Sequence, residues 1–474
     1  MSAWKQVVMA AAMSAGAGTA AAAIPDFKPC DDAASHPALA GSLCAIEQVP
    51  ADHAGAAPGA TISLFVRKFP TSEAPRGQVW LIAGGPGESG ASFYGLLPRF
   101  RQSFPGFDLI VPDHRGTGFS TRMCPQEEAP TSLGGTALAG DEWNSCFAHL
   151  NANPAGARQF SQTNAAHDLK LLIERTPRAG KTYVYGVSYG TQLVLRSVAL
   201  GVQGIDGLVL DSLVPLQDDE TADLSRRSLV AEAVGRQVLA RCDASRGCRA
   251  RMGGPVEQIY RRVLARAERD PALLAAVPGK NLKRWFGSLL DFPPALGRMP
   301  QMIKELDAGD STTVNEVMKE VRAEMALLGE FPQSPSSTPL VILISGAENN
   351  LQPQRTAQGV AQEEQGLLFA SSLPGLLVGQ PFPFYARDAW FARLPVRVPP
   401  TLVLHGTRDA KTPYDAAQRH VAALAKAGPV ELFAVEDGAH FVLWQGSTCT
   451  VNAVRRFVLG DEEQTRCVTI KSVD

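Results

Sequence analysis

A serine between two glycines is the first residue in this sequence whose surroundings indicate chemistry. Ser188 lies in the segment 186–190, which reads Gly-Val-Ser-Tyr-Gly and is the only G-x-S-x-G in the chain. A strand-like run at 182–185 precedes it, and a helix-like run at 191–195 follows it. A sharp turn between strand and helix holds a serine in a strained conformation with its hydroxyl exposed, and flanking glycines allow that turn. The sequence therefore predicts that Ser188 is a catalytic nucleophile.

A nucleophilic serine needs a histidine that accepts its proton and a carboxylate that orients the histidine. Asp409 follows a predicted strand at 401–405, and His440 follows a predicted strand at 430–435. Both lie just past the carboxyl ends of strands, where open sheets of this kind form their sites. The order serine, acid, histidine along the chain is one that hydrolytic triads use. We predict Asp409 as the acid and His440 as the base.

Other residues compete for these two roles. Asp211 ends the apolar run at 208–210, and it is the alternative acid because some triads take their carboxylate from that earlier strand. His114 and His405 lie next to predicted strand ends and are candidates for supporting the site. The remaining histidines have the ordinary interpretation of surface or core residues: His36, His53, His149, His167 and His420.

Attack on a carbonyl creates an oxyanion, which preorganised N–H groups must stabilise. The residue after the nucleophile, Tyr189, is expected to supply one amide. The second is expected from the glycine-rich loop at 83–90, which follows a predicted strand at 78–82. Pro86 in this loop has no N–H, so Gly85 is the predicted donor. The loop matches neither of the glycine patterns that bind nucleotide phosphates.

These residues and their neighbours make the chain resemble the α/β-hydrolases of the prolyl aminopeptidase and tripeptidyl aminopeptidase family, its secreted members included. The similar segments are Gly-Gly-Pro-Gly at 84–87, Asp-His-Arg-Gly-Thr-Gly-Phe-Ser at 113–120, Gly-Val-Ser-Tyr-Gly-Thr-Gln at 186–192, Gly-Thr-Arg-Asp at 406–409 with Thr-Pro at 412–413, and Gly-Ala-His at 438–440. The likeness runs from about residue 45 to the end of the chain. It implies removal of residues or short peptides from free N-termini through an acyl-enzyme, without a metal or cofactor, and acidic cap residues that hold the substrate's α-ammonium.

The sequence departs from this family at a few positions. Ala83 stands where family members often carry a histidine, and the segments Gly-Ala-Glu-Asn at 346–349 and Arg-Asp-Ala-Trp at 387–390 replace C-x-E-D and C-x-x-W. Glu348 occupies the place of the family's acid, so the resemblance implies that it binds the amine. A buried ammonium needs a nearby carboxylate, and Glu88 in the glycine-rich loop is a second candidate close to the nucleophile.

Strand-like and helix-like runs alternate on both sides of a long helical stretch. The alternation predicts a mostly parallel, doubly wound sheet, the α/β-hydrolase fold. Between Asp211 and Thr401 the alternation stops, and we predict a large, mainly helical cap inserted between core strands six and seven. One helix there is predicted to place Val314, Val317, Met318, Val321 and Met325 on one face that packs into the core. The predicted units are a signal peptide at 1–23, the core at 24–214 and 396–474, and the cap at 215–395.

The composition is that of an ordinary globular enzyme, with 474 residues, 45% hydrophobic and 19% charged. A formal net charge of −2 argues against nucleic acid or an anionic membrane as the main partner. The alanine-rich segment 1–23 has the pattern of a secretory signal and is too weakly apolar for a membrane span of about 20 residues. We therefore predict a secreted or periplasmic protein that has no stable membrane insertion once the signal is removed.

The eight cysteines agree with export to an oxidising compartment. Eight cysteines allow about 105 connectivities. The eight cysteines of this chain lie in four pairs of sequence neighbours, which favours disulfides between neighbours. Zinc-binding spacings such as C-x-x-C and H-E-x-x-H are absent from the sequence, so we predict no metal site. The predicted pairs are Cys30 with Cys44, Cys124 with Cys146, Cys242 with Cys248, and Cys449 with Cys467.

Together these features predict an exported serine aminopeptidase that acts on a peptide or a small amide or ester. A carboxylic-ester hydrolase using the same three residues is the alternative, because the acyl chemistry is shared. A non-catalytic binding protein on an inactive hydrolase scaffold is a remote alternative, since an intact serine, acid and histidine would then have no purpose.

Overall fold

A computed structural model of the protein describes residues 25–275, 277–329, 331–379 and 381–460. Within these ranges the chain forms one nine-stranded sheet. The strands are β1 (Lys28–Pro29), β2 (Leu43–Pro50), β3 (Thr61–Phe69), β4 (Gly77–Ile82), β5 (Phe107–Pro112), β6 (Lys181–Val187), β7 (Gly207–Asp211), β8 (Thr401–Gly406) and β9 (Val430–Val435). The predicted signal peptide at 1–23 lies outside the described residues.

The sheet order is β1-β2-β3-β5-β4-β6-β7-β8-β9. The first three pairings in this order, through β3 with β5, are antiparallel. All pairings from β5 with β4 to β8 with β9 are parallel. The predicted mostly parallel sheet is therefore confirmed, and the carboxyl ends of β6, β7, β8 and β9 meet at one edge.

Helices flank the sheet and fill the long connection between β7 and β8. They are α1 (Leu97–Ser103), α2 (Glu142–Ala152), α3 (Pro154–Arg158), α4 (Gln162–Arg175), α5 (Tyr189–Ala199), α6 (Arg227–Ala244), α7 (Arg246–Met252), α8 (Val256–Ala267), α9 (Leu282–Leu289), α10 (Pro293–Ala308), α11 (Thr312–Gly329), α12 (Thr338–Glu348), α13 (Ala357–Gly366), α14 (Leu373–Leu376), α15 (Tyr414–Leu424) and α16 (Thr448–Leu459). Short 3₁₀ turns occur at Pro37–Leu39, Gly90–Leu96, Leu224–Arg226, Pro271–Leu274 and Pro278–Lys280. Among the helices of the described ranges, none is long and apolar enough to span a bilayer.

Apolar side chains of the sheet pack on both of its faces, as expected for parallel strands covered by helices. In β4, Trp80 and Ile82 belong to the cluster that contains α4 and α5, while Val79 and Leu81 belong to the opposite cluster with α1 and α16. This alternation is the two-residue period of a strand. A third cluster lies mainly in the helices between β7 and β8. The predicted helical insertion is confirmed: it follows β7, which is the sixth core strand when the short β1 is not counted. Its exact limits at 215 and 395 stay predictions.

Three of the predicted disulfides are present. Cys30 bonds to Cys44, Cys124 to Cys146, and Cys242 to Cys248. Cys449 is also disulfide-bonded. Its predicted partner Cys467 lies outside the described residues, so this fourth pairing stays a prediction.

Candidate active site

Ser188 lies in the turn between β6 and α5, with φ 53° and ψ −126°. A positive φ is uncommon for a residue with a Cβ and must be enforced by its surroundings. The Ser188 N–H donates to the Asp211 carbonyl (3.0 Å), and the Ser188 carbonyl accepts from the N–H and the hydroxyl of Thr191 (2.8 and 2.7 Å). The side chain is partly exposed and lines a pocket. The turn therefore presents the hydroxyl to solvent from a fixed backbone.

The turn is possible because the glycines beside Ser188 have no side chains. A Cβ at Gly190 would lie 2.4 Å from the carbonyl oxygen of Ile82, and one at Gly186 would lie 2.8 Å from that of Gly190. Both neighbours are backbone atoms that a side chain cannot displace cheaply. The helix α5 thus packs against β4 and β6 at a distance that only glycine permits.

We expect Gly190→Ala to lower the free energy of unfolding by about 1–3 kcal/mol, because the new methyl group overpacks the turn. It should also reduce turnover, since Ser188 must shift with the turn. Gly297→Ala is the matched control: Gly297 lies in α10, and a Cβ there would meet nothing within 4 Å. Thermal denaturation and specific activity of both variants check this prediction. An unaltered melting temperature and activity in Gly190→Ala would contradict this prediction, because the turn would then accommodate the methyl group.

The exit loops of β8 and β9 bring Asp409 and His440 together. Nδ1 of His440 lies 3.0 and 2.8 Å from the two carboxylate oxygens of Asp409. Asp409 also accepts from the N–H groups of Lys411 and Thr412 (2.8 and 2.7 Å) and from the Thr412 hydroxyl (2.7 Å). Because Nδ1 of His440 faces a carboxylate, we assign the proton of the neutral imidazole to Nδ1. This assignment leaves Nε2 free to accept a proton.

Asp409 remains ionised despite its burial. Burial by itself would raise the pKa of this carboxyl, but the neighbouring His440 and the Thr412 N–H outweigh it and hold the pKa below its ordinary value. The carboxylate is 1% exposed and His440 is 7% exposed. A charged acid fixed in this way can orient the imidazole and stabilise its protonated form.

Asp211, the alternative acid, is engaged elsewhere. Its carboxylate accepts from the Tyr185 hydroxyl (2.9 Å) and from the N–H groups of Val442 and Leu443 (3.0 and 2.9 Å). Burial raises the pKa of Asp211 to about 6, although these hydrogen bonds oppose the shift. Asp211 therefore fastens the segment that follows His440, while Asp409 contacts the imidazole itself.

His405 supports the acid's loop. Its Nδ1 accepts from the N–H of Leu213 (3.1 Å), and its Nε2 lies 2.7 Å from the carbonyl of Thr412. These two contacts require a neutral ring protonated at Nε2, and burial lowers its pKa in agreement. His114 is also buried, with its pKa lowered to about 4 by burial, and its ring lies 5.9 Å from that of Tyr189. Within the described chain, Nε2 of His114 has no hydrogen-bond partner.

The two predicted oxyanion donors lie beside the nucleophile. Gly85 and Tyr189 line the same pocket as Ser188. Gly85 has φ +104°, a conformation that favours glycine, and it precedes a cis peptide bond to Pro86. A Cβ on Gly85 would lie 2.8 Å from the N of Gly87, so this loop also depends on a missing side chain. The loop after β4 and the start of α5 thus meet at the serine.

Two family models match the chain. One is described as alpha/beta hydrolase fold and matches residues 79–240, and the other is described as TAP-like protein and matches residues 383–467. The protein is an α/β-hydrolase. The two matches contain Ser188 in the first segment and both Asp409 and His440 in the second, and they support membership of the tripeptidyl-aminopeptidase-like family. No curated protein matches the chain of this hydrolase.

The chain of this α/β-hydrolase is similar to several solved structures at low sequence identity. A laboratory-evolved variant of potato epoxide hydrolase is 13% identical, with 88% of this chain and 99% of that chain covered at a TM-score of 0.37. An α/β-hydrolase from a Medee basin deep-sea metagenome is 14% identical, with 85% and 96% covered at 0.39. A thermophilic esterase from Thermogutta terrifontis is 15% identical, with 88% and 98% covered at 0.34.

The two predicted amine-binding acids of the hydrolase have different surroundings. Glu348 is 2% exposed, and its oxygens accept from the Tyr385 hydroxyl (2.8 Å), from Gln217 Nε2 (2.9 Å) and from Arg196 Nη2 (3.2 Å). The next residue, Asn349, lines the pocket.

Glu88 lies close to the predicted nucleophile Ser188. Burial raises the pKa of its carboxyl, and the nearby Lys411 ammonium is the largest of the influences that oppose that shift. A Cβ on Gly84 would lie 3.5 Å from Glu88 Oε2 and 3.2 Å from Ser188 Cβ. The carboxylate of Glu88 and the side chain of Ser188 thus lie on either side of Gly84, in the loop that carries the predicted donor Gly85.

The pocket also contains residues that the sequence did not single out. Leu224 and Arg227 come from the start of the helical insertion, and Lys411 comes from the exit loop of β8. Lys411 could have been noticed because it lies two residues after Asp409. Arg227 carries no local signal, since it is brought to the pocket by the packing of α6 against the core.

Proposed function

We propose that this hydrolase is a serine aminopeptidase that cleaves through an acyl-enzyme intermediate. The observation that supports the proposal is the Asp409–His440 hydrogen-bonded pair, because Thr412, which also bonds to Asp409, lines the same pocket as Ser188, Gly85 and Tyr189. Ser188 attacks the scissile carbonyl as Nε2 of His440 takes its proton, and the amides of Gly85 and Tyr189 stabilise the oxyanion. His440 then gives the proton to the leaving amine. Water, deprotonated by His440, attacks the acyl-enzyme and releases the acid product and the free serine.

The helical insertion supports action on chain ends or small substrates. Residues from both sides of it, Leu224 and Asn349, line the pocket together with Ser188. A pocket narrowed in this way leaves little room for the middle of a long polypeptide. The match to the TAP-like model supports peptides as substrates. The three disulfides support a secreted or periplasmic location, where such bonds persist.

Recognition of a free N-terminus needs a carboxylate that offsets the desolvation of the ammonium. We assign this role to Glu88, because its carboxylate lies beside the nucleophile and is partly buried. Glu348 remains the alternative that the family resemblance implies. Its oxygens already have three donors, so a substrate amine would have to displace one of them.

We expect substrates with a free α-amine to be hydrolysed with a kcat/KM at least about tenfold higher than their N-acetylated counterparts, since one paired ammonium is worth at least about 1.4 kcal/mol. Matched aminoacyl p-nitroanilides, with and without the acetyl group, and p-nitrophenyl acetate measure this preference. Glu88→Gln should raise KM for the free-amine substrates and change the acetylated ones little. Glu348→Gln should reduce both alike, because it disrupts a buried hydrogen-bond network. A preference for acetylated substrates or for the simple ester would instead identify a carboxylic-ester hydrolase.

A further inference from the structure

Arg227 is a cation in the candidate catalytic pocket that makes no hydrogen bond or ion pair with the part of the chain that the structure describes. It is the first residue of α6 and lines the pocket with Ser188. Its side chain is partly buried. Several other arginines of the described chain are paired, for example Arg196 with Glu348 and Arg419 with Asp219. The guanidinium of Arg227 therefore differs from these in being available to a ligand.

The nearby carboxylates do not satisfy Arg227. Asp291 and Asp409 attract it through space. However, Asp409 is engaged by His440 and its own loop, and Asp291 is paired with Lys411 Nζ at 3.0 Å. Asp223, which also lines the pocket, accepts from the N–H groups of Ser225 and Leu351 (3.1 and 2.9 Å).

An unpartnered guanidinium in a partly dry pocket is costly, because its lost hydration is not replaced. Burial lowers the pKa of Arg227, which reflects that cost. Its planar fork matches a carboxylate, with two parallel N–H···O bonds. Lys411 also lines the pocket, with its ammonium paired to Asp291. The pocket thus presents the Arg227 guanidinium to an incoming anion, and the loop that lines it at Gly85 and Pro86 carries the nearby carboxylate of Glu88, which we assign to the amine.

We propose that Arg227 binds the C-terminal carboxylate of the substrate, so that the preferred substrates are short peptides with both ends free. This inference rests on the proposed function, and it specifies the substrate class of the same site. A pocket that binds the amine through Glu88 and the carboxylate through Arg227 selects peptides whose length fits between these two residues. Longer chains and C-terminally amidated peptides lose the second contact.

Four versions of one short peptide test the inference, combining a free or acetylated N-terminus with a free or amidated C-terminus. The release of the cleaved amine gives kcat/KM for each with the wild-type enzyme. We expect the free carboxylate to raise kcat/KM at least about tenfold over the amide, the gain of one charge-assisted contact. The N-terminal comparison tests the aminopeptidase proposal separately, so failure of either idea is visible without the other.

Arg227→Met should reduce the carboxylate-to-amide ratio to about one, and Arg227→Lys should leave an intermediate ratio because it keeps the charge but loses the fork. Arg158→Met is the control, since Arg158 is exposed on α3 and should leave the ratio unchanged. Arg227→Gln replaces the methionine variant if that variant does not fold. A wild-type ratio near one, or a ratio that survives loss of Arg227, would overturn the inference. The inference would also be overturned if an amidated peptide that carries an aspartate side chain had the same kcat/KM as the peptide with a free C-terminus.

Discussion

Replacing Ser188 with alanine is expected to lower kcat by about 10⁶-fold, the loss seen when the nucleophile is removed from the serine-protease template. No acyl-enzyme can form without the hydroxyl, so only binding and the oxyanion donors would still act on the substrate. The fold should be unaffected, because no hydrogen bond among the described residues uses the Ser188 hydroxyl, and alanine keeps the Cβ that the turn already accommodates. Measured kcat, labelling by a fluorophosphonate and the melting temperature check this expectation.

Ser197→Ala is the matched control for the serine variant. Ser197 lies on the same helix, α5, and its hydroxyl donates to the carbonyl of Val194 at 2.8 Å. Turnover and labelling should persist in this variant. If folded Ser188→Ala protein were still labelled and active, the nucleophile would have to be another residue and the proposed mechanism would fail.

Asp409→Asn is expected to lower kcat by about 10⁴-fold, as a wrong-tautomer substitution does in the same template. The amide would offer Nδ1 of His440 either an N–H or a weaker acceptor, so the imidazole would no longer hold its proton on Nδ1. KM should change little because Asp409 is 1% exposed and contacts His440 rather than the substrate. Steady-state kinetics with one free-amine substrate gives both constants.

Asp211→Asn separates the two candidate acids. The amide would direct N–H groups toward donors such as the Leu443 N–H, and a buried unsatisfied donor costs about 1–3 kcal/mol. We therefore expect a lower melting temperature with a much smaller fall in kcat than in Asp409→Asn. The opposite order of the two kcat values, in proteins of equal stability, would transfer the acid's role to Asp211.

Local patterns in the sequence predicted the structure correctly where that structure depends on residues close together in the chain. The run before Ser188 became β6, which ends at Val187, and the run after it became α5, which begins at Tyr189. The three observed disulfides join cysteines 6 to 22 residues apart, so nearness in the chain predicted the pairing. The glycine-rich loop likewise lies beside the nucleophile because β4 and β6 pair directly.

Contacts between distant segments were beyond the sequence. The apolar period of α11 placed Met325 on its buried face, but Met325 is 46% exposed. This part of the prediction was wrong because the end of α11 leaves α10 and packs on the turn at Gly90–Leu96, where a Cβ on Gly95 would lie 2.3 Å from the Leu327 carbonyl oxygen. The hydrogen bonds to the Glu348 carboxylate come from Arg196, Gln217 and Tyr385, which lie far from it in the chain, so no local pattern in the sequence indicated them.

The position of Asp211 has a consequence for when the enzyme becomes active during its synthesis. Its carbonyl holds the Ser188 N–H, and its carboxylate holds the segment after His440. One residue at the end of β7 thus joins the nucleophile to a loop more than 200 positions further along the chain. Pairing across so long a separation slows folding far more than it weakens the folded state, since the entropy of closing a loop grows only with the logarithm of its length. A ribosome must therefore synthesise the more than 200 residues between Asp211 and the segment after His440 before the proposed triad can form, and the nascent chain is expected to be inactive until then.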